Sequence, residues 1–219
     1  MGAKTRGIVF EADVSRDVMP STVTLIDRSR WKNNGTWTNG AYTRLPSGLW
    51  VMEGATGKRA NMGSPDSIYC YNFSVSIWAY LTTSPSNRYV FSHGLLAGAR
   101  GWHITWNSGV GKFAFFVADG ANVNQSSYGN YSFNAWYHLA GVHVYNSSLT
   151  LYINGVAQTP AAIVGYSVPL NTTPLVLGGY SNLSSEWLGY YGLPKMYNYA
   201  LTPTAIYKIF NAERSLFGV

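Results

Sequence analysis

The sequence predicts an all-β protein, a jelly-roll sandwich of two antiparallel sheets with one short C-terminal helix. Three observations predict it. Apolar and polar residues alternate with a period of two through ten or more short runs, the pattern of half-buried strands. Polar, glycine-rich turns separate those runs with no helical pattern between them, which favours antiparallel connections over parallel βαβ units. A helix start is written only near the end, where Thr202 precedes Pro203.

In chain order, Gly7–Phe10 and Leu49–Met52 are the first short strand-like runs. Phe73–Leu81 follows and places Phe73, Val75, Ile77 and Ala79 on one face. After Tyr89–Ser92, the residues Trp102, Ile104 and Trp106 alternate with His103 and Thr105. Lys112–Ala118 is the next run. The stretch Asp119–Ala135, rich in Asn, Gln, Ser, Gly and Tyr, is expected to be an extended surface loop. Trp136–Val144 resumes the strand pattern, and Leu149, Leu151 and Ile153 alternate with Thr150 and Tyr152 up to Asn154-Gly155. Asn-Gly is the preferred two-residue hairpin turn, because both positions tolerate positive φ. Pro174–Leu177 and Leu193–Tyr199 complete the set. The expected helix, Thr202–Arg214, puts Ile206, Ile209 and Phe210 on one face, to be laid on the outside of a sheet.

The chain has 219 residues, 47% hydrophobic, 16% aromatic and 11% charged. That length fits a single domain spanning residues 1–219, and the aromatic content excludes disorder. Cys70 is the only cysteine, so no intrachain disulfide forms, and with four histidines no zinc spacing exists. The longest apolar run, Phe113–Ala118, is far too short for a membrane span, so no membrane insertion is expected. Met1–Arg6 leads into an acidic stretch rather than an apolar core, so no signal peptide is expected. Arg6 stands where a myristoylation motif needs Ser or Thr.

A formal charge of +6 raises the question of nucleic acid. Residues 1–59 carry nine basic against five acidic side chains (+4), and the rest carry six against four (+2). The tightest cluster is Arg28-Ser29-Arg30-Trp31-Lys32, a turn-like stretch where solvated cations cost nothing. No recognised motif or basic stripe extends it, and Phe113 to Pro194 contains no Lys or Arg. Nucleic acid is therefore not an expected partner.

The segments Phe73–Leu81 (FSVSIWAYL), Trp136–Ala140 (WYHLA) and Leu149–Gly155 (LTLYING) resemble the laminin-G-like family of the concanavalin A-like lectin/glucanase superfamily. Asp27-Arg28-Ser29 with Asn33-Asn34-Gly35 resembles the family's segment after the first strand. Met52-Glu53-Gly54 and Met196–Thr202 match its later motifs. The resemblance implies a concanavalin A-like jelly roll, a curved sandwich with one concave face. It does not choose a function, since the superfamily hosts lectins, glycosidases, lyases and adhesion modules. Many relatives bind calcium, and Asp27 is the candidate ligand; the other reading is a turn capped by its side chain. The closing strand around Gly189–Lys195 lacks the acids that support such a site, so calcium is possible but no cofactor is required.

Enzymatic alternatives are a glycoside hydrolase or a polysaccharide lyase. The superfamily's endo-glucanases use Glu-x-Asp-x-x-Glu, and the nearest approach is Glu11-Ala12-Asp13, where Arg16 stands in place of the second Glu. A lyase would need Tyr and His beside Arg and Gln. His103 lacks that company, His138 belongs to the family motif, and His93 and His143 have no acid or nucleophile partner in the sequence. Gly54–Arg59 fails as a phosphate loop, with Met52 where its first glycine should stand. Seven Asn-x-Ser/Thr sequons, Asn72, Asn130 and Asn182 among them, are expected to reflect composition, since no signal peptide is expected.

A non-catalytic binding module remains, and the expected ligand is a carbohydrate. Neutral glycans are held by aromatic faces and by amide or hydroxyl groups, without charge. The expected binding residues are Asn124, Gln125, Tyr128 and Tyr131 on one loop, with Trp187 and Tyr190 on another. Trp78 and Trp136 are expected to fill the core between the sheets. The motif Gly192–Asn198 also resembles laminin-G-like domains that occur as stand-alone phage proteins. It implies a virion-surface role, as capsid decoration or tail component, assembled in the host cytoplasm beside other virion proteins and as a homo-oligomer. The competing context is a monomeric bacterial lectin.

Overall fold

Alternation sorts side chains onto opposite faces of each strand, and the inward faces of two sheets meet to form the core. The computed structural model describes residues 6–16, 22–84, 86–94, 100–163, 173–180 and 185–219. Asp17 and Asn182 lie outside the described residues. The first strands are β1 (Ile8–Glu11), β2 (Thr24–Leu25), β3 (Gly35–Thr38), β4 (Tyr42–Arg44), β5 (Trp50–Gly54) and β6 (Arg59–Asn61). The middle of the chain gives β7 (Phe73–Leu81), β8 (Arg88–Gly94), β9 (Arg100–Asn107), β10 (Lys112–Asp119) and β11 (Val123–Gln125). Then come β12 (Trp136–Val144), β13 (Ser148–Ile153), β14 (Val156–Ala157), β15 (Ala161–Ala162), β16 (Leu175–Leu177) and β17 (Gly189–Tyr197).

A nine-stranded sheet runs β14-β13-β12-β7-β17-β5-β4, with β1 added to β17 and β15 to β13. An eight-stranded sheet runs β11-β10-β9-β8-β16-β6-β3-β2. All pairings between these strands are antiparallel. The interior holds Phe73, Val75, Ile77, Ala79 and Leu81 of β7 against Trp102, Ile104 and Trp106 of β9 and Phe113, Phe115 and Val117 of β10. The predicted fold class is the observed one. Asn154 and Gly155, with φ of 50° and 78°, close the β13–β14 hairpin between the paired residues Ile153 and Val156.

Helix α1 (Pro203–Glu213) begins where the sequence placed it, with Thr202 Oγ1 accepting from the Ala205 amide at 3.2 Å. A 3₁₀ turn, Arg214–Phe217, extends it. Together they cover the outer face of the nine-stranded sheet. This corrects the expectation for Trp78 and Trp136: both point away from the inter-sheet core. Trp78 is buried beneath the tail, its ring 4.2 Å from and nearly parallel to that of Phe217, with Phe210 behind. Its Nε1 donates to Glu213 Oε2 at 2.8 Å. Trp136 is partly buried and packs on Phe217 at 4.7 Å. The physical reason is register, since Phe73 and Ile77 face inward and Trp78 must then face outward.

Asp119–Ala135 is also not a plain loop. Val123–Gln125 returns along β10 as an edge strand, and Phe113 bridges to Gly129. Polar side chains hid the strand, because an edge strand with one solvated face needs few apolar residues.

Candidate functional site

The registers align one transverse row of side chains across the outer face of the eight-stranded sheet. From β11 to β2 it reads Gln125, Phe116, His103, Ser92, Val176, Asn61, Thr36 and Thr24. Facing residues in antiparallel pairs share a side, so all eight side chains project outward. The centre of this row is aromatic. His103 is enclosed by Tyr89 at 4.7 Å, Phe116 at 5.0 Å and Tyr180 at 5.6 Å between ring centroids. Tyr89 and Tyr180 stack at 4.3 Å with 20° between their planes. Ser92 Oγ donates to Gly179 O at 2.8 Å, and the Gly178 amide donates to Val90 O at 2.9 Å. These bonds hold Tyr180 over the sheet. Burial lowers the His103 pKa to about 3, so the ring is neutral and cannot act as a cation or an acid near pH 7.

Beside the aromatic centre lies an amide and hydroxyl cluster. Tyr128 Oη donates to Gln125 Oε1 at 3.2 Å, and Asn107 Nδ2 approaches Tyr128 Oη at 3.5 Å. Ser126 bonds Phe115 in both directions at 2.9 Å and fixes this return strand. The other flank carries Arg59 on β6, paired with Glu186 at 3.0 Å. Arg88 Nη1 also donates to Glu186 O, at 3.3 Å. His103, Ser92 and Val176 at the centre are buried, so the face offers the half-buried rings of Tyr89, Phe116 and Tyr180, the amides and hydroxyl of the flanking cluster, and a neutralised ion pair at its edge. That chemistry suits C–H surfaces and hydroxyl groups.

The expected binding residues divide. Gln125 and Tyr128 lie together on this face, joined by Asn107. Asn124 is buried, because it alternates with Gln125 and shares the register of the inward-facing Val117. Tyr131 turns inward as well, packing on Trp106 and Phe113 at 4.6 and 4.7 Å while its hydroxyl donates to Leu81 O at 2.8 Å. Trp187 is corrected outright: it is fully buried, stacked on Phe113, with Nε1 donating to Tyr80 O at 3.0 Å, and it offers no face to a sugar. Tyr190 sits on the other sheet, half-buried against Tyr80. Sequence reading missed Phe116, Tyr89 and Asn107, while Tyr180 opens the Tyr180–Tyr191 segment in which binding chemistry was expected. Phe116 was within reach, since Phe113, Phe115 and Val117 alternate inward and leave it outside.

Asp27 is an anchor rather than a metal ligand. Its Oδ1 accepts from the amides of Glu11 (3.1 Å) and Ser29 (2.8 Å), and Oδ2 accepts from Ser29 Oγ and the Asn33 amide (both 2.9 Å). Four donors converge where a cation would need open lone pairs. Among the described residues no group of three or more His, Cys, Asp or Glu could hold a metal ion. The acids weighed for hydrolysis also stand elsewhere. Glu11 ends β1 in the nine-stranded sheet, and Asp13 pairs with Arg16 at 2.9 Å while capping the turn that follows.

Comparison with known proteins defines the class. A family model of the concanavalin A-like lectin/glucanases superfamily, Laminin_G_3, matches residues 55–207, and the chain belongs to that family. No curated protein sequence matches significantly. Among solved structures, domain 4 of AbnA, an extracellular arabinanase from Geobacillus stearothermophilus, in complex with arabinotriose, superposes with a TM-score of 0.73 and 16% identity. That likeness covers 94% of this chain and 99% of that domain. The binding domain of Paraclostridial Mosquitocidal Protein 1 gives 0.69 and 16%, over 94% of this chain and 52% of that one. The botulinum neurotoxin serotype D ligand binding domain in complex with N-acetylneuraminic acid gives 0.72 and 13%, over 94% and 51%. The chain thus spans about half the length of these toxin domains. Identities this low establish a shared fold.

Proposed function

We propose that this domain is a non-catalytic carbohydrate-binding module whose ligand, a neutral glycan, lies across the outer face of the eight-stranded sheet. One observation carries the reading: the transverse row sets aromatic rings beside the Asn107–Gln125–Tyr128 cluster, with Lys112 opposite Asn107 at its border. Structural neighbours crystallised with arabinotriose and N-acetylneuraminic acid support a sugar as ligand class. The distribution of carboxylates favours binding over a glycoside hydrolase or lyase. Glu53 is held by Thr43 and Lys58, Glu186 by Arg59, and Asp119 by the amides of Ala121 and Asn122. A glycan array on the purified chain, followed by assays for reducing ends and unsaturated uronates, tests the reading. Binding without product release is expected. Turnover abolished in a Glu11→Gln or His103→Ala variant would replace it with the enzymatic alternative.

We further propose a virion-surface setting, with the module as a homo-oligomeric decoration or tail component of a bacteriophage assembled in the host cytoplasm. The resemblance of Gly192–Asn198 to stand-alone phage domains supports it. So does the concentration of cations in residues 1–59, suited to docking an acidic neighbour. Neither nucleic acid nor a membrane is required as partner, and among the described residues no helix is long and apolar enough to cross a membrane. Mass spectrometry of purified particles with immunogold labelling is the test. Absence from the particle contradicts this setting and leaves the binding claim standing.

A further inference from the structure

Away from the outer face, two tyrosines stand exposed in contact with each other. Tyr71 is 58% and Tyr145 36% exposed, and their rings meet edge-to-face with centroids 4.8 Å apart. Single exposed apolar residues are ordinary, but a contacting pair on a fixed support is a surface. The support here is specific. The Tyr145 amide donates to Asn72 Oδ1 at 2.8 Å, which ties the turn after β12 to the start of β7. His143 Nδ1 lies 2.7 Å from Tyr71 O, a distance that makes the ring nitrogen the donor, while the imidazole packs on Phe73 at 5.0 Å. Both tyrosines are thereby tied through the backbone to the two central strands of the sheet.

The surroundings select the ligand. Asn72, Asn146 and Ser147 are exposed around the pair. No Lys or Arg occurs from Phe113 to Pro194, and between Asn61 and Asn87 the sole charged residue is Asp66. Charged peptides and anionic polymers find little here, whereas hydroxyl-rich rings find two aromatic faces and several amides. We infer that Tyr71 and Tyr145 form a second stacking site for a neutral glycan, an inference that rests on the proposed binding function. The position makes it independent of the first site. Tyr131, just past Tyr128, bonds Leu81 at the far end of β7. The tyrosine pair lies at the Phe73 end of the nine-stranded sheet, whereas the first site faces outward from the eight-stranded sheet on the other side of the core. Two weak sites on one rigid body then grip a polymer far more tightly than either alone.

Affinity electrophoresis of the full chain through gels cast with arabinan, xylan, dextran or mixed-linkage β-glucan tests this. Three variants are compared with wild type: Tyr71→Ala/Tyr145→Ala, Gln125→Ala/Tyr128→Ala, and the four combined. Each pair is expected to weaken retardation roughly tenfold or more, and the four together to abolish it. Tyr71→Phe/Tyr145→Phe, which keeps the rings, is expected to retain binding. Unaltered retardation of the Tyr71→Ala/Tyr145→Ala variant, with loss in the Gln125→Ala/Tyr128→Ala variant, overturns the second site alone. The reverse pattern overturns the first site and leaves the second. Wild type unretarded in every gel overturns both.

Discussion

Asp27 shows how one carboxylate can organise a loop that reads as functional. Arg28, Arg30, Trp31 and Lys32 drew attention as a basic cluster, yet their conformation follows from four donors converging on Asp27 and from Asn33 Nδ2 donating to Ser67 Oγ at 2.8 Å. Asp27→Ala leaves those donors unpaired in a fully buried position, and a loss of about 3 kcal/mol or more is expected in urea denaturation. Asp27→Asn, which keeps one acceptor, should cost less. Because the side chain is saturated, neither calcium nor a chelator should move Tm; a rise of several degrees with millimolar calcium would reinstate the metal reading. At the same scale, Trp187 shows why a loop tryptophan cannot be assigned from sequence. The residues just before it, Ser184 to Glu186, are polar, but its contacts, Phe113 and the Tyr80 carbonyl, come from strands some 70 or more positions away in the chain.

The C-terminal helix and its 3₁₀ extension act as a second layer on the nine-stranded sheet. Their boundary was legible because Thr202-Pro203 is a local capping device. The 3₁₀ turn was not, since what orders it is Phe217 stacking on Trp78. Two variants separate the local from the tertiary contribution. Thr202→Ala removes one cap bond and should cost about 1 kcal/mol. Phe217→Ala opens a cavity over Trp78, where about 3 kcal/mol and a red-shifted tryptophan emission are expected. Equal, small losses from both would mean that the tail is not an integral layer. Short strands explain what sequence reading missed elsewhere. β2, β3, β4 and β6 have two to four residues each, too few for alternation to emerge, while the long β7, β9, β10 and β12 were all found.

Across the whole molecule, all four histidines are buried and neutral. Burial lowers His93 and His143 to about 4, and His103 and His138 to about 3, with Lys195 adding to the effect at His138. The folded state therefore binds fewer protons than the unfolded chain between these values and the unfolded pKa of about 6.5. Stability is fully present above pH 6.5 and falls as pH drops toward 4, at up to about 1.4 kcal/mol per pH unit for each histidine. Thermal melts from pH 8 to 4 should show a plateau and then a steep decline below pH 6.5; a flat Tm down to pH 4.5 would contradict the buried, neutral assignment.

The class of fold was readable because periodicity and turn chemistry are local, and because motifs such as Phe73–Leu81 carry the family. The site was half readable. Gln125 and Tyr128 announce themselves by composition, but the row joining Gln125 to Phe116, His103 and Ser92 exists only through pairing of strands distant in sequence. The central claim is that this row receives a neutral glycan without cleaving it. Heteronuclear NMR of the isotopically labelled chain, titrated with arabinotriose, xylotriose, maltotriose and cellotriose, tests it most directly. For at least one sugar, shifts are predicted to cluster at Asn107, Phe116, Gln125 and Tyr128 while the sugar's own signals stay intact. Shifts confined to other surfaces, no shifts with any sugar, or the growth of cleavage products would contradict it.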